Sequence, residues 1–135
     1  MTILKATIAL DKRLATAFPS VTIVYEGQKV NPPTNSIYFR TQHVLLEPVD
    51  PVLGSRYRRE PINYQVFVIS PTNLGVGEAL TKAEEIQELY KRGTIISVDN
   101  LRIQIFNTPQ IASATPISDK LVVPVIIPVT VEVYD

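Results

Sequence analysis

Apolar residues Ile3, Ala6, Leu10, Leu14 and Ala17 recur at spacings of three and four, while Lys5, Asp11, Lys12 and Arg13 fall off that stripe. This is the periodicity of an amphipathic helix. The helix predicted from Thr2 to Phe18 stops at Pro19, which lacks the next N–H donor and pushes the preceding residue out of the α region. A second stripe, Val76, Ala79, Leu80, Ala83, Ile86, Leu89 and Tyr90, has Glu78, Lys82, Glu84, Glu85 and Lys91 on its wet side. Glu78 and Lys82 stand four apart in the favourable order. Lys91 and Arg92 suit the negative end of the helix dipole, with Gly93 as the C′ residue.

The other apolar positions follow a period of two. Val21 to Tyr25 reads as a short strand, and Ile37 to Leu45 as a longer one with Ile37, Phe39 and Thr41 on one face and Tyr38, Arg40 and Gln42 on the other. Ile62, Tyr64, Val66 and Val68 alternate with Asn63 and Gln65 before Phe67 and Ile69 make both faces apolar, which predicts entry into the middle of a sheet. Thr94 to Val98 and Leu101 to Phe106 form a predicted hairpin around Asp99 and Asn100, residues that tolerate positive φ. Thr108 to Lys120 is a polar, proline-containing connection. In the final strand every odd position from Val123 to Val133 is apolar and belongs in the core. Pro124 and Pro128 delete donors from one side of that strand, which predicts a sheet edge there. The predicted fold class is α+β, with two helices packed on one face of a mixed, mainly antiparallel β-sheet, in a single domain spanning residues 1–135.

Between the second and third strands, Glu47 to Glu60 is the longest segment without a period. It holds Pro48, Pro51, Gly54 and the cluster Arg56, Tyr57, Arg58 and Arg59. Long aperiodic loops in compact domains are commonly functional, so these four residues are the interface candidates. The alternative is a solvated loop that touches nothing.

Composition narrows the function. The 15.1 kDa chain of 135 residues is 45% hydrophobic and 19% charged, enough for an ordinary core. Thirteen basic residues balance thirteen acidic ones, so no field of one sign favours nucleic acid or anionic lipid. The chain has no Cys, hence no disulfide or thiolate metal site, and its start lacks the charged-then-apolar pattern of a secretory leader, which predicts cytoplasmic synthesis. Leu121 to Val133 is too short to span a bilayer and is interrupted by proline.

Little in the chain suits catalysis. His43 is the only histidine, and a lone His on a strand face is more often structural than a base or ligand. No serine sits in a nucleophile elbow, and Glu84 and Glu85 lie on a solvated helix face. Gly75 and Gly77 precede a helix, but no Gly-Lys-Ser or third Gly follows to complete a phosphate loop. No catalytic, cofactor or metal residues are therefore expected.

The order of signals resembles the tail terminator-like proteins of long-tailed bacteriophages, the phage tail completion family. The residues that carry the likeness are Leu10 to Pro19, Pro32-Pro33-Thr34 leading into Ile37-Tyr38-Phe39-Arg40, Pro61 to Val66, Ser70-Pro71, Leu89 to Thr94, and Val123-Pro124-Val125. Each motif is short, and together they cover most of the chain in order. The resemblance implies a non-enzymatic virion protein that caps the tail tube as a hexameric ring, ends tube polymerisation and forms the head-joining surface. Its implied partners are copies of itself, the tail tube protein and a head–tail connector protein, with DNA only passing through the lumen, no membrane and no cofactor. It would occupy the host cytoplasm during assembly and then the virion tail. The competing readings are another virion component, such as a minor tail or head-completion protein, and a small-molecule-binding module near His43 or Gly75.

Overall fold

The protein is described by a computed structural model, which defines residues 2–29, 31–33, 35–51, 53, 57–72 and 75–133. Its elements begin with α1 (Thr2–Ala17), β1 (Thr22–Val24), β2 (Tyr38–Leu45), β3 (Arg58–Pro71) and α2 (Val76–Leu89). They continue with β4 (Ile95–Val98), β5 (Leu101–Gln104), β6 (Gln110–Ile111), β7 (Thr115–Ile117) and β8 (Lys120–Val133). Two helices thus accompany a mixed, curled eight-stranded sheet in the order β1-β2-β3-β8-β5-β4, with β6 and β7 also on β8. The class is α+β. β1 runs parallel to β2, and the other named pairings are antiparallel.

The spine of the sheet is the pairing of β3 with β8, in register from Arg58 opposite Val133 to Pro71 opposite Lys120. Tyr64, Val66 and Val68 stand opposite Ile127, Val125 and Val123. All six are buried, in one core with Ala6, Leu10 and Leu14 of α1 and Ala79, Ala83 and Ile86 of α2. The alternation that the sequence predicted therefore places the even residues of β3 and the odd residues of β8 in this core. On the opposite face the row Tyr38, Ile69 and Val122 anchors a smaller apolar cluster with Val24 and Phe67.

Several expectations need correction. β8 is not a sheet edge, because β3 pairs with one side of it and β7, β6 and β5 divide the other. The carbonyl of Pro124 accepts from the Ala112 amide at 2.9 Å, so the prolines do face a common side, the side of the short strands. Pro128 falls in the gap between the residues that pair with β6, ending at Ile126, and those that pair with β5, beginning at Thr130. A missing donor costs nothing where no partner strand runs. The segment from Thr108 to Lys120, expected as a plain connection, contains β6 and β7. The aperiodic segment is shorter than Glu47 to Glu60, since β3 begins at Arg58 and Val49 exchanges two 2.8 Å main-chain hydrogen bonds with Arg59.

The helices also differ in detail. The buried stripe of α1 continues onto Phe18, the residue just after the helix, while Ala17 is exposed. α2 ends at a Tyr90 C-cap, so Gly93 is not C′. Gly93 instead takes φ 93° in the following turn and donates its N–H to Ile105 at 2.7 Å, a backbone region that glycine enters without steric penalty. Lys82 pairs with Glu85 at 3.7 Å and lies over the Phe18 ring, rather than meeting Glu78. The β4–β5 hairpin forms as expected, with Asp99 at φ 50° and its carboxylate 2.9 Å from the Lys5 ammonium.

Candidate functional site

The arginine cluster is the site the sequence singled out. Arg56 lies outside the described residues. Arg58 donates from Nε to Glu60 Oε1 at 3.0 Å, a pair two apart on one face of β3. Arg59 donates from Nε to the Tyr57 hydroxyl at 3.1 Å and lies near the face of that ring. In the sheet register Arg59 and Arg102 stand on either side of Glu132, which is 7% exposed. Opposite charges directly across strands stabilise a sheet, so this end of the molecule is a charge-balanced row rather than a bare cationic patch. The structure brings Tyr57 and Arg59 together, whereas Arg58 points to the opposite face of β3 and pairs with Glu60. The acid between Arg59 and Arg102 comes from a segment 73 positions downstream of Arg59 in the numbering, and no local motif announces it.

A polar network lies where α1 meets β2 and β3. The Tyr64 hydroxyl donates to Asp11 Oδ1 at 2.8 Å. His43, whose side chain is 7% exposed, stacks on the Tyr64 ring with Nε2 3.5 Å from Asp11 and Nδ1 3.8 Å from Glu26. The His43 amide donates to Glu26 Oε1 at 3.0 Å. Tyr90 donates its hydroxyl to the Leu10 carbonyl at 2.6 Å, and Arg13 Nε donates to the Leu89 carbonyl at 3.1 Å. Burial pushes both tyrosine hydroxyls above their ordinary range. For Tyr64 the neighbouring Tyr90 and Asp11 add to that shift, while for Tyr90 the Tyr64 hydroxyl opposes it and Asp11 adds to it. Held neutral, the two phenols act as donors that tie α1 to the sheet and to the end of α2.

Chemically this arrangement positions rather than reacts. Among the described residues His43 Nε2 is buried without a hydrogen-bond partner, and the tyrosine on which its ring stacks has its hydroxyl committed to Asp11. Among the described residues no group of three or more His, Cys, Asp or Glu side chains could hold a metal ion, and no helix is long and apolar enough to cross a membrane. Gly75, with φ 76°, is the N-cap of α2 and supplies no side-chain cap. Sequence reasoning missed Leu4 and Ile8, which lie outside the buried stripe of α1 and are exposed beside this network. Their signal was present as a second apolar pair spaced by four.

No curated protein matches the chain. A solved protein structure that carries no functional description superposes with a TM-score of 0.83 at 19% identity, covering 100% of this chain and 99% of that one. That likeness supports the fold alone. The family model for phage tail terminator proteins matches residues 5–129, nearly the whole length over which the helices and the sheet were traced, and the chain therefore belongs to the phage tail terminator family.

Proposed function

We propose that this protein caps the tail tube as a hexameric ring, ends tube polymerisation and provides the surface to which the head is joined. Membership of the terminator family over residues 5–129 carries this reading. The family is structural, its members are components of the virion tail, and it associates with other tail proteins. The reading treats residues 1–135 as a single domain that assembles in the host cytoplasm, with both helices packed on the same face of the sheet. The core shared by both helices, β3 and β8 supports that packing, and the hydrogen bonds that lock α1 in place favour a rigid unit. Rigidity matters because the angle between neighbouring copies decides whether a ring closes.

Termination in this scheme is occupancy. One end of the ring binds the last tube ring, and its other end offers no site for another tube subunit, only for the head–tail connector. DNA passes through the lumen without being read. The cluster at residues 56–59 is the proposed contact point with a neighbouring tail protein, through Tyr57, Arg58, Arg59 and Arg56. Electron microscopy of particles from a phage lacking this gene tests the scheme. Tails of uncontrolled length are the expected result. Tails of normal length that fail to join heads would overturn capping and favour a head-completion role.

A further inference from the structure

Two hollows flank α1, and they differ in charge. On one flank a hollow of about 290 Å³ is rimmed by Leu4, Ile8 and Leu45, which are 54%, 55% and 56% exposed. Its polar lining includes Asp11 and Glu26. On the other flank a groove of about 450 Å³ runs between α1, the end of α2 and β4, lined by Thr16, Leu89, Ile96 and Val98 with Lys12 and Arg13. Asp11 and Arg13 are two residues apart, roughly 200° around the helix, which is why they face opposite flanks. Asp99 and Glu88, each next in sequence to a groove residue, are paired elsewhere, with Lys5 and Lys91.

We infer that copies of this chain join head to tail, the acidic apolar patch around Leu4, Ile8 and Leu45 of one copy seating on the basic groove around Lys12 and Arg13 of the next. Charge complementarity selects the occupant. Neither patch suits itself, because a two-fold contact would set acid on acid or base on base, whereas each suits the other. An interface of two different patches leaves one of each free after every addition, so the assembly grows until it closes. Leu89 fits this role. It interrupts the buried stripe of α2 by being only partly covered, and the next copy would complete its burial. This inference rests on the proposed ring and assigns its lateral contact.

The test uses Leu4→Arg and Thr16→Trp, two exposed positions on α1 that are twelve residues apart in the numbering. Leu4→Arg puts a cation on the acidic patch and Thr16→Trp fills the basic groove with a bulky ring, and each leaves the other patch intact. Sedimentation equilibrium in dilute salt is expected to give an oligomer for the natural chain and a monomer for each variant. An equimolar mixture is expected to give a one-to-one dimer and nothing larger, through the one pairing of intact patches that remains. Thermal midpoints equal to that of the natural chain verify folding. Leu45→Arg repeats the acidic-side lesion from a different element.

Variants that keep the natural chain's mass, a mixture without the dimer, or a natural chain that stays monomeric at millimolar concentration would each overturn the inference. Tail length separates the two readings. If deleting the gene lengthens tails while Leu4→Arg leaves them normal, this contact is wrong and capping stands. If deletion leaves tail length unchanged, capping itself is wrong.

Discussion

Tyr64 shows how one side chain does several jobs in this protein. Its ring is buried in the core, stacks on His43 and packs against Tyr90, while its hydroxyl reaches Asp11. In Tyr64→Phe the ring remains and the donor is lost, so the expected cost is about 1–2 kcal/mol in a denaturant titration. Alkali offers a second measurement. A tyrosine whose folded-state pKa is raised contributes stability that is complete below its unfolded value and is lost as pH climbs beyond it. Stability is therefore expected to fall once the pH exceeds about 10, by up to about 1.4 kcal/mol per pH unit for each of Tyr64 and Tyr90. The Tyr64→Phe variant should show a shallower decline, and a profile flat to stronger alkali would refute the burial argument.

At the scale of elements, α2 illustrates what an apolar stripe can and cannot say. Val76, Ala79, Leu80, Ala83, Ile86, Leu89 and Tyr90 share helical spacing, yet only Ala79, Ala83, Ile86 and Tyr90 are buried. A helix lying on a sheet covers a narrower arc than the full apolar sector, which leaves Val76 and Leu80 exposed and Leu89 lining a groove. Ile86→Ala is expected to cost about 2–5 kcal/mol by leaving a cavity. Leu89→Ala removes a partly buried side chain and should cost less, about 1–2 kcal/mol, judged by the apolar area involved. Equal losses for the two variants in chemical denaturation would contradict the burial pattern. The hairpin was legible because Asp99 and Asn100 sit between alternating strands. β6 and β7 were not, because two- and three-residue strands carry no period and owe their pairing to β8.

For the whole molecule, the test of the arginine cluster is functional. Arg59 is exposed and Arg58 partly so, but the carboxylates they face, Glu132 and Glu60, are 7% and 13% exposed, and a largely buried acid stripped of its cation is destabilising. Replacing both by alanine should therefore lower the thermal midpoint, and particles are assembled well below the variant's own midpoint so that the protein is folded. If residues 56–59 contact another tail protein, the double variant should yield fewer head-joined particles or tails of irregular length in electron micrographs. Normal particles would remove the cluster from the interface.

Local chemistry fixed the helices, the hairpin and the alternating strands of this protein, since period, proline position and turn residues act within a few residues of one another. The same short range made the family motifs readable from Leu10 to Val125. Only the tertiary structure decided that β8 is flanked on both sides, that Glu132 stands between Arg59 and Arg102, and that Leu4, Ile8 and Leu45 meet at one hollow. Those outcomes depend on which strands become neighbours. Neighbours far apart in the chain are chosen by how the whole core closes, and no stretch of sequence encodes that choice alone.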